Sequence, residues 1–181
     1  MRLFIAINFN ADTRARLISL REELRSNSRS GNFSRDENLH LTLAFIGECS
    51  PKKLDKIQTI METVTFDPLE VMVDRLGTFS HGTLWWAGLR RDRPLMYLKT
   101  EITHKLALCG FEMDGRKYHP HITLGREVVT DYSFGKIEPF GETVGTIDLM
   151  NSERINGKLT YTAIYKHGTT KAPLDGAGVL C

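Results

Sequence analysis

The sequence predicts an α+β fold, in which two similar lobes with largely antiparallel sheets face one another across a central cleft. A strand–helix–strand series recurs along the chain, and each copy ends in His-x-Thr-Leu. The copies are offset by 81 residues, as the positions of His40 and His121 show, which suits an internal duplication. The first copy is expected at residues 3–7, 12–25 and 39–46, and the second at 83–89, 94–109 and 121–125.

The first copy begins with a compact run of strand formers, LFIAI at residues 3–7, followed by a polar break. Apolar residues then recur at helical spacing among charged ones over residues 12–25, which predicts an amphipathic helix. Residues 26–35 contain four serines and a glycine, so we expect a loop there. The segment LHLTLAFIG, which comes next, predicts a strand that ends at Gly47.

A second helix and a hairpin connect the two copies. Ser50 as the N-cap and Pro51 at the first helical position predict a helix to about residue 63. The Ser-His-Gly sequence at 80–82 has the composition of a hairpin turn between two strands. Strands are expected at residues 69–79, 83–90, 121–125, 142–150 and 158–166. One more helix is expected at 94–109, with Gly110 at its C-terminal end.

Length and composition are those of an ordinary globular protein. The 181 residues are 41% hydrophobic and 25% charged, and the formal net charge is +2, which permits an anionic partner without requiring one. We expect one bilobal domain over residues 1–167, a loose tail over 168–181, and a monomer. Three cysteines without C-x-x-C spacing indicate reduced thiols, and no segment has the length of a signal peptide or a membrane span. The sequence therefore predicts a cytoplasmic protein without a membrane partner.

The triplet His-x-Thr occurs four times in the chain, beginning at His40, His81, His121 and His167. The copies at 40 and 121 continue as HLTL and HITL, so that alternation along a strand places the aliphatic residues in the core. Each histidine then shares the opposite face with the threonine two residues later, Thr42 or Thr123. The copies at 81 and 167 have glycine in the middle and no aliphatic anchor, and we assign them no chemistry.

Two histidines paired in this way suit the hydrolysis of a cyclic phosphodiester. The reaction takes a proton from water and delivers one to the departing sugar oxygen, and an imidazole can do either near neutral pH. The threonine hydroxyls can donate to a phosphate oxygen or orient the imidazoles. For either motif alone, a structural histidine is the simpler interpretation, and the matched pair favours catalysis.

At these residues the sequence resembles the two-histidine phosphoesterase superfamily, and within it the RNA 2',3'-cyclic phosphodiesterase family, historically called 2'-5' RNA ligase. The matching segments are RLFIAINF, ENLHLTLAFIGE, LWWAGL and HPHITLGR, spread over residues 2–126. The resemblance implies a bilobal fold and the metal-independent opening of a terminal 2',3'-cyclic phosphate to a 2'-phosphate. Some members of the family also join tRNA halves through a 2'-5' linkage, so the resemblance implies that this chain could do the same.

Carried over by motif position, the resemblance makes His40 the proton donor and His121 the proton acceptor, with Thr42 and Thr123 holding the phosphate. Arg126 follows the second motif and would neutralise phosphate charge, provided that a strand end or a bulge near Gly125 turns it to the face of His121; on a regular strand it is only a surface charge. Strict alternation places Phe45 in the core rather than against a base.

Three alternatives remain open. His119 stands where the family usually has an aromatic residue, which allows a metal site built from His40, His119 and His121, although no Asp, Glu or Cys accompanies them at ligand spacing. The substrate can instead be a small cyclic phosphate, or the protein can be a non-catalytic RNA-binding module. We expect neither a cofactor nor a metal, and RNA ends as the partner.

Overall fold

The computed structural model describes residues 1–169 and contains, over that range, two antiparallel sheets and three α-helices. The elements in chain order are β1 (Arg2–Asn8), α1 (Ala11–Ser26), β2 (Ser30–Phe33), β3 (His40–Glu48), α2 (Pro51–Glu62), β4 (Leu69–Phe79), β5 (Leu84–Leu89), α3 (Arg93–Leu108), β6 (His121–Val129), β7 (Phe140–Val144), β8 (Thr146–Ile155) and β9 (Lys158–Gly168). The strands of the first copy and the last two strands form a four-stranded sheet in the order β3-β1-β8-β9. The others form a five-stranded sheet in the order β2-β6-β5-β4-β7.

This architecture confirms the predicted α+β class with antiparallel sheets. β1 pairs with β3, and β5 pairs with β6, so that each copy of the repeated series closes into an antiparallel strand pair. Both helices of the repeat also lie where the apolar spacing predicts them. Asn10 caps the N-terminus of α1, and its side chain accepts a hydrogen bond from the backbone N–H of Thr13 (2.8 Å).

The helices cover the outer faces of the sheets. α1 follows β1 but packs against β2, β6 and β7 of the five-stranded sheet, whereas α3 follows β5 and packs against β3 of the other sheet and against β4. Their apolar sides are fully buried, as Leu17 and Leu24 of α1 and Leu98 and Ile102 of α3 show at 0% exposure. The two sheets therefore share one hydrophobic core.

A β-bulge interrupts β3 and β6 at corresponding positions. In β3 the neighbouring strand pairs with Thr42 and then with Ala44, which leaves Leu43 without a partner. In β6 it pairs with Thr123 and then with Gly125, which leaves Leu124 without a partner. Leu43 and Leu124 are 81 residues apart, so the duplication extends to the bulges. Residues beyond each bulge are turned to the opposite face of the strand.

Two predictions about strands were wrong. Residues 26–35 are not all loop, since Ser30–Phe33 form β2, which pairs with the outer edge of β6. Residues 142–150 are not one strand, because the chain changes sheets at Gly145: β7 pairs with β4, and β8 pairs with β1. In both cases the partner is distant in sequence, and the composition of the segment does not reveal it.

The predicted loose tail begins too early at 168, since Gly168 is the last residue of β9. The remainder of that segment from residue 170, with Cys181, lies outside the described residues. Cys49 and Cys109 are free thiols. Within residues 1–169 no helix combines the length and the apolarity that crossing a bilayer requires.

Candidate active site

His40 and His121 each open a strand, and the two strands adjoin where the sheets meet. The residues that follow the histidines, Leu41 and Ile122, are 0% exposed, whereas the histidines and the threonines are half-buried. The predicted alternation is therefore confirmed on both strands as far as the threonines. Tyr118, in the segment leading to β6, donates a hydrogen bond through its hydroxyl to the carbonyl of Thr42 (2.8 Å), which joins the two motifs directly.

Both imidazoles are fixed by the same contact to the backbone. Nδ1 of His40 lies 2.8 Å from the carbonyl oxygen of Asn38, and Nδ1 of His121 lies 2.7 Å from the carbonyl oxygen of His119. Because a carbonyl only accepts, each Nδ1 carries the hydrogen and donates it. Each Nε2 is thereby left as the nitrogen that can gain or lose a proton in the cleft.

Aromatic rings hold the two imidazoles in similar surroundings. The ring of His40 is 4.9 Å from that of Phe4 and 5.1 Å from that of Tyr161, which meets it edge-on. The ring of His121 is 5.1 Å from that of Phe79, at an interplanar angle of 89°. Such contacts restrict each imidazole to one orientation and exclude water from its sides.

Burial lowers the pKa of both histidines. For His40 the pKa falls to about 4: burial is the largest cause, the hydrogen bond to Asn38 opposes it, and the charges of His121 and Arg14 lower the pKa further. The pKa of His121 is also lowered, first by burial and then by Arg126 and His119, against the hydrogen bond to His119. Both imidazoles are therefore mostly neutral at pH 7, because their pKa values lie below the ordinary value of 6.5.

The two threonines differ in what they contact. Oγ1 of Thr42 lies 3.1 Å from Nε2 of His40, so the hydroxyl donates to the neutral imidazole. Thr123 is held through its backbone, since its carbonyl accepts a hydrogen bond from the hydroxyl of Ser34 (2.6 Å). Within residues 1–169 the Thr123 hydroxyl makes no such contact with His121, whose Nε2 likewise has no protein partner.

The bulge at Leu124 places Arg126 on the face of His121, as the sequence required for a role in the site. Arg126 is exposed, its charge contributes to lowering the pKa of His121, and it forms no ion pair with any of the described residues. The corresponding bulge at Leu43 overturns the expectation for Phe45. Phe45 is 47% exposed instead of buried in the core, and the Arg2 guanidinium lies 5.0 Å from the centroid of its ring.

The other histidines lie apart from this arrangement or lack partners for metal binding. His119 is exposed, and its ring faces that of Phe79 at 6.1 Å. Over residues 1–169 no group of three or more His, Cys, Asp or Glu side chains is placed to hold a metal ion. His81 is in the turn between β4 and β5, and Nε2 of His167 bonds the carbonyl of Val64 (2.7 Å).

Sequence reasoning missed several residues around the histidines. Phe4, Phe79 and Tyr161 contact the imidazoles from other strands, and Tyr118 links the motifs. Nothing in the spacing of these residues announces their position, because it follows from the register between strands. Arg14, at the start of α1, is a further case: it donates to the carbonyls of Phe9 and Asp36, and its charge reaches His40.

A cavity of about 420 Å³ lies elsewhere, along the edge of β4 beyond the part that pairs with β7. Trp85 and Phe134 line it, together with Asp74 and Lys136, and none of the motif residues does. The cavity brings no pair of imidazoles together, so we place the candidate site at the junction of β3 and β6 instead.

A bilobal fold that brings one His-x-Thr from each half to adjoining strands defines a two-histidine phosphoesterase. The family model described as LigT-like phosphoesterase matches residues 7–86. The chain is also 30% identical over 154 residues to the RNA 2',3'-cyclic phosphodiesterase of Archaeoglobus fulgidus, which covers 78% of this chain and 85% of the relative. The chain belongs to the LigT-like phosphoesterase family.

Two further comparisons, both with Escherichia coli, agree with this assignment. The RNA 2',3'-cyclic phosphodiesterase of that organism is 32% identical over 127 residues, which cover 70% of this chain and 72% of the relative. The crystal structure of E. coli LigT complexed with 3'-AMP superimposes with a TM-score of 0.82 at 27% identity. It covers 94% of this chain and 98% of the LigT chain.

Proposed function

We propose that this enzyme hydrolyses the 2',3'-cyclic phosphate at an RNA end to a 2'-phosphate, with His40 as the proton donor and His121 as the proton acceptor. One observation carries the proposal. Both imidazoles donate through Nδ1 to a backbone carbonyl, and both therefore offer Nε2 for proton transfer at the junction of the two sheets. The names of the relatives from A. fulgidus and E. coli support the substrate.

The reaction needs one proton removed and one supplied. A water oxygen attacks phosphorus while its proton passes to Nε2 of His121; the bond from phosphorus to O3' breaks, and O3' takes a proton from Nε2 of His40. The products are a 2'-phosphomonoester and a free 3'-hydroxyl. His121 then releases its proton to water and His40 takes one up from water, which restores the starting protonation states. The same step with an RNA 5'-hydroxyl in place of water, its oxygen attacking phosphorus while the bond to O3' breaks, would make a 2'-5' linkage.

The surroundings of the two histidines support this direction of proton transfer. Nε2 of His121 has no protein partner within residues 1–169, so it is free to meet the attacking water. His40 is the more strongly shifted imidazole, and with a pKa of about 4 its protonated form gives up its proton more readily than an ordinary imidazolium. We expect the negative charge of the bound phosphate to favour that protonated form.

The remaining site residues have charges and hydroxyls that suit a phosphate. The Thr42 hydroxyl exchanges its bond to Nε2 of His40 for a phosphate oxygen, and the Thr123 hydroxyl binds another. Arg126 forms no ion pair with a carboxylate among residues 1–169, and its exposed guanidinium supplies the positive charge. The exposed ring of Phe45, on the same face of β3 as His40, provides a surface for the terminal base.

We expect His40→Ala and His121→Ala each to lower kcat by about 10²–10⁴-fold, because each removes one proton-transfer group. The measurement is the turnover of a short oligonucleotide that ends in a 2',3'-cyclic phosphate. The double variant should be little slower than either single variant, since neither histidine completes the reaction alone. His104→Ala, at an exposed position of α3, serves as the control. Near-normal kcat in either single variant would refute the proposed pair.

A further inference from the structure

Trp86 lies on the wall of the cleft formed by the five-stranded sheet, directly beside the second motif. In the sheet register Trp86 pairs with Thr123 on one side and with Gly77 on the other. Residues paired across strands share a face, so the indole is on the face that carries Thr123 and His121. The centroids of the Trp86 and His121 rings are 6.4 Å apart.

Two glycines allow the indole to lie flat on this sheet. A Cβ at Gly77 would overlap the six-membered ring of Trp86, and a Cβ at Gly88 would come within 2.7 Å of it. Glycine inside a strand weakens the strand and marks a place where another group approaches closely. One face of the indole therefore rests on the sheet, and the other faces the cleft, where the residue keeps part of its exposure. Phe79 adjoins it, with ring centroids 5.0 Å apart.

The four-stranded sheet has no such surface at the corresponding place. There the neighbour of Thr42 is Ala6, and the space beside it is filled. Phe4, Ala6 and Met150 form a separate buried cluster, with exposures of 4%, 0% and 3%, against which Tyr161 packs. The duplication is thus broken beside the two threonines: packing fills the place next to Thr42, whereas an aromatic ring lies next to Thr123.

Positive charge lies next to the indole. Arg75 pairs with Gly88, which in turn pairs with His121, and the Arg75 side chain lies over Gly88, since a Cβ there would be 2.9 Å from its Cγ. Asp74 accepts a hydrogen bond from Arg75 (2.6 Å) and pairs more loosely with Arg90 (3.7 Å). Two guanidinium groups against one carboxylate leave this part of the wall positive, and the Arg75 side chain is 44% exposed.

We propose that the Trp86 indole is a stacking platform for the base of the second-last nucleotide of the RNA, the one before the terminal nucleotide that carries the cyclic phosphate. Arg75 faces the phosphate that joins this nucleotide to the terminal one. The inference rests on the proposed function and specifies its substrate: an RNA strand rather than a mononucleotide. Base stacking on an aromatic ring and a guanidinium beside the backbone are the contacts by which single-stranded RNA is commonly held.

The test compares two substrates, a nucleoside 2',3'-cyclic phosphate and a dinucleotide that ends in the same group. The readout is the ratio of their kcat/KM values, dinucleotide over mononucleotide, which cancels general effects on the catalytic centre. Wild type should have a ratio well above one. Trp86→Leu should lower it between about 5-fold and 150-fold, the range for one stacked base, and Trp86→Phe should retain most of it. Arg75→Gln should reduce the salt dependence of the dinucleotide's kcat/KM, by about 0.7 in the log–log slope.

Trp85→Leu is the matched control. Trp85 is the adjacent residue of the same strand, but it faces the other way and packs on Phe134 (5.7 Å), so its loss should leave the ratio unchanged even where stability falls. An unchanged ratio in Trp86→Leu, or an equal fall in Trp85→Leu, overturns the platform. A wild type that opens both substrates at the same kcat/KM overturns it as well, and leaves the proposed chemistry standing. A wild type that opens neither refutes the proposed function itself.

Discussion

His40 and His121 are held by equivalent backbone contacts, yet their electrostatic surroundings differ. His40 is the more deeply enclosed, packs between Phe4 and Tyr161, and has the Thr42 hydroxyl against Nε2. His121 has an open Nε2 and an exposed arginine, Arg126, on its face. A pair of identical residues is thereby made unequal, which a reaction with one acid and one base requires.

The lowered pKa of His40 predicts how stability depends on pH. Its pKa is about 4 in the folded protein against 6.5 as the ordinary value, so the unfolded chain binds the proton more readily. The contribution of neutral His40 is fully present above pH 6.5 and is lost as the pH falls from there to about 4. The loss is on the order of 3 kcal/mol.

Urea unfolding between pH 4.5 and 7.5 measures this effect as a difference between wild type and His40→Asn. We expect the free energy of unfolding of the wild type to fall relative to that of the variant as the pH decreases. The same substitution at exposed His104 provides the control for a histidine outside the site. A difference that is independent of pH would contradict the burial of a neutral His40.

For these individual residues, the sequence predicted which face of the strand each motif side chain is on, but not its hydrogen bonds or ring contacts. Alternation along a strand was enough to place His40 and Thr42 opposite Leu41. The hydrogen bond from His40 to Asn38 depends on a short 3-10 turn at Asp36–Asn38, and the ring contacts depend on strands distant in the chain. Neither the hydrogen bond nor the ring contacts can be predicted from the alternation of residues along one strand.

Among the elements, the paired bulges in β3 and β6 decide which residues reach the site. Each adds one residue after His-x-Thr, at Leu43 and at Leu124, and so turns the next side chains around. A bulge near Gly125 was the predicted condition for Arg126 to reach the face of His121. No bulge was predicted in β3, so the predicted burial of Phe45 was wrong. A bulge is a matter of register between two strands, and a single strand's alternation does not disclose it.

Gly141 of β7 offers a direct test of how the edge of the five-stranded sheet is built. β7 pairs with β4, and a Cβ at Gly141 would overlap the carbonyl oxygen of Val71, which is backbone and has no room to move aside. We expect Gly141→Ala to lower the free energy of unfolding by about 1–3 kcal/mol, because it forces the two strands apart.

The measurement is the urea midpoint of Gly141→Ala against that of Gly135→Ala. At Gly135 an added Cβ meets nothing within 4 Å, so this control should remain within about 0.5 kcal/mol of wild type. Equal midpoints for the two variants would mean that β7 does not approach β4 as closely as described.

In the molecule as a whole, the two halves are joined because helices pack across from one half to the other. α1 and α3 each lie against the sheet of the other half, and Tyr118 connects the motifs across the junction. The single domain over residues 1–167 that the sequence predicts remains a proposal, and the shared core supports it. The duplication could be read from the sequence because both copies keep the same order and offset. The exchange of the helices could not, since their apolar faces suit either sheet.

The reaction proposed for this enzyme is the opening of a 2',3'-cyclic phosphate by two histidines. The most direct test incubates the enzyme, in EDTA, with an oligonucleotide that ends in this group and separates the 2'-phosphate product from the 3'-phosphate. We expect the 2'-phosphate alone, formed as fast as without the chelator. A 3'-phosphate product, or activity that EDTA abolishes, would contradict the proposed reaction.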